Sequence, residues 1–369
     1  MFALATAASL SALLAGERSD LSTYTFEAYV SEFGKSYATV EEHASRAAIF
    51  ADNVAQILEH NSQRDKTWFM TINHFADMTN AEFKKARTGR AKTTKTFTAA
   101  PHFHTPLESL PDTLDWRTKE GVVTKAKDQG GCGSCWAFSA TETLESAAAL
   151  ASGEAAPILS PQQIVSCSPN PQHCGGTGGC DGSTQELAFQ YTETAGIVAE
   201  SDYPYEGITG TCKQSKIGSP VVKNNGFVKL PGNNYTALMN AVATVGPIAI
   251  SVAAGSMSWQ FYGGGVYSGN RCGWDEDHAV GLVGYGKKGT KDYWIVRNSW
   301  GVSWGDEGFM YLERFGEGKE PCGMDDTPLD GGACAGDTKP EKLCGACGIL
   351  SDSSYPTGVK MVKATPPTA

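Results

Sequence analysis

All eleven cysteines of the chain lie between Cys132 and Cys347, and the sequence before Cys132 has none. The leading part must therefore fold on apolar packing alone, while the trailing part can be stapled. In an oxidising compartment an odd count leaves one thiol over after five bridges. The stretch Gln129–Ala140, QGGCGSCWAFSA, holds two of the candidates, Cys132 and Cys135, set three apart among glycines. Such a pair can be a redox dithiol, half of a zinc site, or one nucleophile beside a structural cysteine.

The N-terminus, MFALATAASLSALLAG, is apolar and uncharged up to Glu17. It is short for a membrane span and reads as a signal segment over residues 1–16. No other stretch is apolar enough to cross a bilayer. A sequon at Asn234-Tyr235-Thr236 marks Asn234 as a candidate glycosylation site and suits a secretory route. The chain is acidic, with a net charge of −10. It gains nothing from counterion release on a phosphate backbone, so nucleic acid is excluded as a partner.

Residues 22–85 read as helices. Within VEEHASRAAIFADNVAQILEHNSQ, the residues Glu42, Arg46, Phe50, Asn53, Ile57 and Asn61 follow one another at steps of three or four and share one helical stripe. Glu42 and Arg46 are expected to form a surface pair. The Thr-, Lys- and Arg-rich run from Ala86 to Pro106 lacks any apolar period and reads as an exposed, cleavable linker. Beyond it, a helix is expected from Trp136 to Ser152, stopped by Gly153. After Gly226 come short strand-like runs, PIAISVAA, HAVGLVGYG, DYWIVRNSW and FMYLERF. A helical half followed by a strand half is an α+β pattern.

The redox reading of Cys132 and Cys135 needs two available thiols in a compact βαβ unit, and the many other cysteines of the same region argue against it. The zinc reading needs a second ligand pair; Cys344 and Cys347 are distant and have no histidine nearby. The nucleophile reading is better met. Cys135 stands at a helix N-terminus, where the macrodipole lowers a thiol pKa. After the linker the chain has two histidines, His173 in a turn-rich loop and His278 opening a strand-like run. Asn298, ending the next run, can orient an imidazole, and Trp300 can shield that bond from water. Gln129 offers a side-chain oxyanion donor, and the Cys135 backbone N–H a second.

Together, Gln129, GGCGSCWAFSA, DHAVGLVGYG and RNSWGVSWG resemble the papain family of cysteine proteases. The stripe Glu42, Arg46, Phe50, Asn53, Ile57 and Asn61 resembles the pro-segment motif of its cathepsin L-like branch. Asn73, Phe75 and Asp77 resemble the second pro-segment motif, with Thr71 where that motif has glycine. The resemblance implies a papain-like two-lobed α+β fold, a helical lobe and a β-barrel-like lobe with the cleft between, preceded by a helical inhibitory pro-segment. It divides the chain into a signal (1–16), a pro-segment (17–109) and a mature peptidase (110–369), with lobes at about 110–223 and 224–363.

It further implies that Cys135 is the nucleophile, His278 the base, Asn298 the orienting amide and Gln129 the oxyanion donor of an endopeptidase made as a zymogen. No cofactor or metal is implied. The expected partners are protein and peptide substrates, the chain's own pro-segment and cystatin-type inhibitors, bound to a monomer in the secretory pathway, either lysosomal or vacuolar, or extracellular. The family pattern pairs Cys132 with Cys180, Cys167 with Cys212 and Cys272 with Cys347, and leaves Cys174, Cys322, Cys334 and Cys344 unassigned. Substrate contacts fall on Gly182, Ser183, Ser251, Glu276, Asp277, Ala279, Trp300, Trp304 and Asp352. Ser183 replaces a family glycine and would be strained at positive φ. Asp352 falls on the floor of the P2 pocket, where a carboxylate could take Arg or Lys. Protonation of Asp77 in acid is expected to loosen the pro-segment. The alternative class is a silent binding or inhibitor protein on this fold. Its mark would be loss of Cys135, His278 or Asn298, and all three are present. Dipeptidyl-carboxypeptidase activity would need an inserted histidine pair, and the insertions here carry His173 alone.

Overall fold

The computed structural model describes residues 21–88, 109–269, 271–331 and 333–362. The expected signal, residues 1–16, and the linker from residue 89 onward lie outside the described residues. The leading part forms α1 (Phe26–Glu32), α2 (Val40–Ser62), β1 (Trp68–Met70) and α3 (Asn80–Arg87). The helical lobe follows with β2 (Leu114–Asp115), α4 (Cys135–Ser152), α5 (Pro161–Cys167), α6 (Gln185–Ala195) and β3 (Val222–Lys223). The β-rich lobe has β4 (Phe227–Lys229), α7 (Tyr235–Thr244), β5 (Ile248–Val252), α8 (Met257–Gln260), β6 (Tyr262–Tyr267), β7 (His278–Lys288), β8 (Lys291–Arg297) and β9 (Phe309–Arg314). It ends with β10 (Cys322–Asp325), β11 (Glu341–Cys344), β12 (Ser353–Pro356) and β13 (Lys360–Met361).

The main sheet runs β1-β6-β9-β8-β7-β5-β12-β4, with β2 added to β7. Its two ends do not pair, so among the described residues the lobe is an open sheet and the expected barrel-like closure is absent. One end is capped by β1, which pairs antiparallel with β6. That strand corrects the all-helical reading of residues 22–85. It alternates buried Trp68, exposed Phe69, buried Met70, a period too short to stand out from the flanking helices. The lobes also exchange ends: β2 pairs with β7, and β13 pairs with β3.

The α2 stripe grips the segment that follows it. Asn53 Nδ2 donates to the Ala76 and Met78 carbonyls at 2.9 Å each. Asn61 donates to the Met70 carbonyl at 2.7 Å and accepts from its N–H at 2.9 Å. Glu42 and Arg46 do not form the expected surface pair. Glu42 reaches back to the Ala38 N–H (2.8 Å), while Arg46 donates to Glu82 at 2.8 Å and to the Asp77 carbonyl at 3.0 Å. A tertiary carboxylate on α3 outcompetes the local one, which the helix start needs for its unsatisfied N–H groups. The aromatic rings of this part, including Phe26, Tyr29, Phe50, Phe75 and Phe83, share one buried cluster with Trp259, Trp294, Trp300 and Trp304 of the β-rich lobe. The helical lobe packs separately around Trp136, Leu144, Ile164 and Phe189.

Asp77 anchors the leading part. It accepts from Tyr29 at 2.7 Å, Lys35 at 2.9 Å and Tyr37 at 2.9 Å. Burial alone would raise its carboxyl, but these donors outweigh burial and hold it below the usual range. A depressed pKa contributes stability above the ordinary value near 4 and loses it only below, as pH falls through the folded value. Asp77 therefore stays ionised at pH 4–5, which corrects the expectation that its protonation sets acid release. Asp77→Asn should instead weaken the pro-segment at every pH from 5 to 8, on the order of 3 kcal/mol. Urea melts of the whole chain at both ends of that range check this; a loss confined to the acid end would contradict it.

Candidate active site

Helix α4 begins at Cys135, as the spacing predicts within one residue, and Gly153 caps it at φ 73°. Its N-cap, Ser134, makes no side-chain bond to the helix, and the first turn carries no acidic residue. The Ser134 hydroxyl instead meets the Tyr205 hydroxyl at 2.6 Å. The helix dipole is thus not offset by a nearby carboxylate, and its positive end falls on the Cys135 thiol. Cys135 is the one cysteine outside the five disulfides. The bridges Cys132–Cys180, Cys167–Cys212 and Cys272–Cys347 form as the family pattern has them. The remaining four cysteines pair as Cys174–Cys334 and Cys322–Cys344.

His278 opens β7 and is fully buried. A Ser139-to-Val280 bond of 2.8 Å laces α4 to β7, so both groups are carried by rigid elements. His278 Nε2 lies 2.8 Å from Asn298 Oδ1, and the Trp300 ring stacks on the imidazole with centroids 4.6 Å apart. Asn298 Oδ1 also accepts from the Ser299 N–H at 2.8 Å, which fixes the amide with its oxygen toward the ring. Gln129 is held from both sides. Its backbone N–H donates to the Ser299 carbonyl at 2.9 Å, and its Oε1 accepts from the Ser299 hydroxyl at 2.7 Å. That leaves Nε2 as the outward donor, and it meets the carbonyls of Cys132 (3.0 Å) and Arg87 (3.1 Å).

Arg87 ends α3 of the pro-segment. The indole N–H of Trp300 donates to the same Arg87 carbonyl at 3.3 Å. Its guanidinium pairs with Asp128 at 2.7 Å and lies over the Phe75 ring. Phe75 and Phe83 set their edges on Trp300, at 6.0 and 5.0 Å. The second pro-segment motif thus rests on the tryptophan that covers the histidine. Nothing in the run Asn80–Arg87 beyond its capping-box signature, Thr79 with Glu82, marks Phe83, Lys84 or Arg87 as contacts of the site. Tyr205, Ser299 and Lys229 also escape the sequence reading, because their partners are remote in the chain.

The expected substrate contacts divide. Gly182 has φ 93° and requires glycine. Ser183 is buried and is absent from the residues at positive φ, so the feared strain does not arise. Trp304 lies behind Trp300, with its N–H on the Trp259 carbonyl at 2.8 Å, and supports the cover rather than facing a ligand. Ala279 and Ser251 are register partners on β7 and β5. Asp352 is neither open nor solvent-facing. Lys229 pairs with it at 2.7 Å and Ser251 Oγ donates to it at 2.7 Å, so an internal ammonium already holds the charge expected to greet a basic P2 residue. Asp277 is buried, accepts from the Ala254 N–H at 2.8 Å and lies 3.8 Å from Lys84. Burial, reinforced by the Asp275 charge, pushes its carboxyl up to about 7.

The match to known proteins agrees with this geometry. The papain family cysteine protease model matches residues 110–330, and the cathepsin propeptide inhibitor domain (I29) matches residues 26–83. The Oryzain beta chain of Oryza sativa subsp. japonica is 38% identical over 328 residues, covering 88% of this chain and 64% of that protein. The senescence-specific cysteine protease SAG39 of Oryza sativa subsp. indica is 36% identical over 337 residues, covering 90% of this chain and 89% of the relative. The KDEL-tailed cysteine endopeptidase CEP2 of Arabidopsis thaliana is 36% identical, over 89% of this chain and 84% of the relative. Among solved structures, digestive procathepsin L 3 of Tenebrio molitor larval midgut superposes with a TM-score of 0.73 at 33% identity, over 90% of this chain and 97% of that one. A recombinant stem bromelain precursor gives 0.74 at 32% identity, with the same coverage. The bromelain protease from Ananas comosus, solved with the E64 inhibitor, gives 0.54 at 34% identity, over 67% of this chain and 99% of that one. The chain belongs to the papain family of cysteine proteases and carries that family's inhibitory propeptide domain.

Two outcomes follow from the charges around the cleft. Lys84 of the pro-segment favours ionised Asp277, so that part of its hold is present above about pH 7 and fades as pH falls through that value. Lys84→Met should accelerate zymogen processing at pH 8 and do so less at pH 6; an equal acceleration at both would reject the coupling. Lys229→Gln should raise the ratio of Z-Arg-Arg to Z-Phe-Arg cleavage by unmasking Asp352, and an unmoved ratio would show that Asp352 does not face the P2 pocket.

Proposed function

We propose that Cys135 is the nucleophile of a cysteine-type peptidase synthesised as a zymogen, with His278 as its acid–base partner. The observation that carries this reading is the Arg87 carbonyl held on the Gln129 amide and the Trp300 indole. A backbone carbonyl of the pro-segment sits on the donor that a peptidase keeps for its oxyanion. The thiolate, poised at the α4 N-terminus, adds to the scissile carbonyl. Gln129 Nε2 and the Cys135 N–H receive the developing charge. His278, kept in one orientation by Asn298 and shielded by Trp300, protonates the leaving amine. Water then cleaves the thioester, with His278 accepting its proton.

In this reading residues 17–109 are the removable inhibitor and residues 110–369 the mature enzyme, acting on proteins and peptides as a monomer. Five disulfides among the described residues favour an oxidising compartment. With the apolar N-terminus and the KDEL-tailed relative, they support passage through the secretory pathway to a vacuole, a lysosome or the exterior. No described helix is long and apolar enough to cross a membrane. Asn234 is exposed and caps α7 through its oxygen, which leaves a glycan on its nitrogen compatible with the fold.

Labelling by E-64 tests the assignment. The processed enzyme should take up one equivalent on Cys135, and Cys135→Ala none, read by peptide mass mapping. Gln129→Ala should lower kcat about 100-fold with little change in KM. Label on another cysteine, or a Gln129 variant at full rate, would overturn the site.

A further inference from the structure

Gln129 and Cys135 are joined by the loop Gly130-Gly131-Cys132-Gly133-Ser134, in which three of five residues are glycine. Gly130 has φ 60°, in the left-handed region. A Cβ built on Gly130 or Gly131 would meet no atom of the described residues within 4 Å. Packing therefore does not set the tip of this loop, and its peptide planes can turn at little cost. An oxyanion donor acts by being in place before the charge develops. The order that Gln129 needs has to come from bonds at the ends of the loop.

A tyrosine from outside the loop bonds to both ends. Tyr205 Oη donates to the Gln129 carbonyl at 2.7 Å and stands 2.6 Å from Ser134 Oγ. A phenol has one proton, and a carbonyl only accepts. The phenol proton therefore goes to Gln129, and the Ser134 hydroxyl donates to Tyr205. Tyr205 is itself fixed. Its ring stands edge-on to Phe138, one turn into α4, with centroids 4.8 Å apart. Its N–H donates to Glu200 at 2.7 Å. Burial pushes its phenol up to about 12, so it keeps the proton it donates through the acid and neutral range.

The peptide between Gln129 and Gly130 is thus held by both edges. Its carbonyl takes Tyr205, and its N–H donates to Asp128 Oδ1 at 2.9 Å. Gln129 is also bonded to Ser299 through its own N–H and Oε1, and the Ser299 N–H reaches Asn298 Oδ1 beside His278. One unbroken chain of hydrogen bonds runs through Ser134, Tyr205, Gln129, Ser299, Asn298 and His278, from the residue before the thiol to the imidazole. Members of such a chain strengthen one another.

We infer that Tyr205 is a positioning residue for the oxyanion donor: its hydroxyl locks the Gln129–Gly130 peptide and so keeps Gln129 Nε2 aimed at the carbonyl that Cys135 attacks. Tyr205 acts through Gln129 and not on the substrate. The inference rests on the peptidase reading of Cys135 and Gln129 and adds a residue to it.

The test is a double-mutant cycle on the processed enzyme, with active sites titrated by E-64. Tyr205→Phe removes the hydroxyl and keeps the ring on Phe138. It should lower kcat for Z-Phe-Arg hydrolysis about five- to tenfold, the worth of one lost hydrogen bond, with KM unchanged. In a Gln129→Ala background the same change should cost less than about twofold. Should Tyr205→Phe fail to fold, Ser134→Ala takes its place: with the donor to the phenol removed, kcat should fall about two- to threefold, again only where Gln129 is present. Tyr205→Phe at full kcat beside an impaired Gln129→Ala overturns the inference and spares the site. An equal loss in both backgrounds makes Tyr205 merely structural and also overturns it. Gln129→Ala at full kcat overturns the oxyanion reading, and the inference with it.

Discussion

Trp300 is the side chain that joins the proposed catalytic pair to the pro-segment. One face of its ring lies on His278, and its cover keeps water from the Nε2–Oδ1 bond that orients the imidazole. Its edge and N–H serve the pro-segment, receiving Phe75, Phe83 and the Arg87 carbonyl. The inhibitor is thus not a plug laid over a finished site. It is built onto the same indole that covers His278, and His278 and Asn298 are already in contact beneath it.

The sheet makes this sharing possible. β7 and β8 carry His278 and Asn298 to adjacent positions at one end of a register that pairs Gly281 with Arg297. The helical lobe supplies the thiol from a helix packed over β7. The two halves of the chemistry therefore come from separately packed cores, joined by strand exchange through β2 and β13. Buried charges hold that junction: Arg297 donates to Thr124 and to the Lys125 carbonyl at 2.7 Å each, with Glu142 at 3.3 Å.

Much of this was legible in the residues. The α2 stripe, the start and stop of α4, and the runs that became β5, β7, β8 and β9 all follow from period and capping chemistry. What sequence could not give were choices between local and distant partners. Arg46 had a carboxylate one turn away and took Glu82 instead, because Glu42 was needed at the helix start. Asp352 read as an open carboxylate because nothing along the chain announces Lys229, which arrives from β4. The same holds for Cys174 and Cys334: spacing allows three pairings of the surplus cysteines, and only the fold brings the two loops together. Asp77 was legible as an anchor, but its resistance to acid depends on three donors from two earlier segments.

The pairing of β1 with β6 has a consequence for the life of the enzyme after maturation. β6 meets β1 through Gly263, Gly264 and Gly265, and side chains at the first two would strike Phe69 while one at the third would strike the Thr67–Trp68 backbone. Glycine there permits the pro-segment to dock, but it gives the strand little intrinsic order and no side chains with which to hold itself flat. Removal of the pro-segment takes away the strand it pairs with, along with the rings of Phe26, Tyr29, Phe50, Phe75 and Phe83. β6 is then the outermost strand of the sheet, with its run of glycines along an unpaired edge.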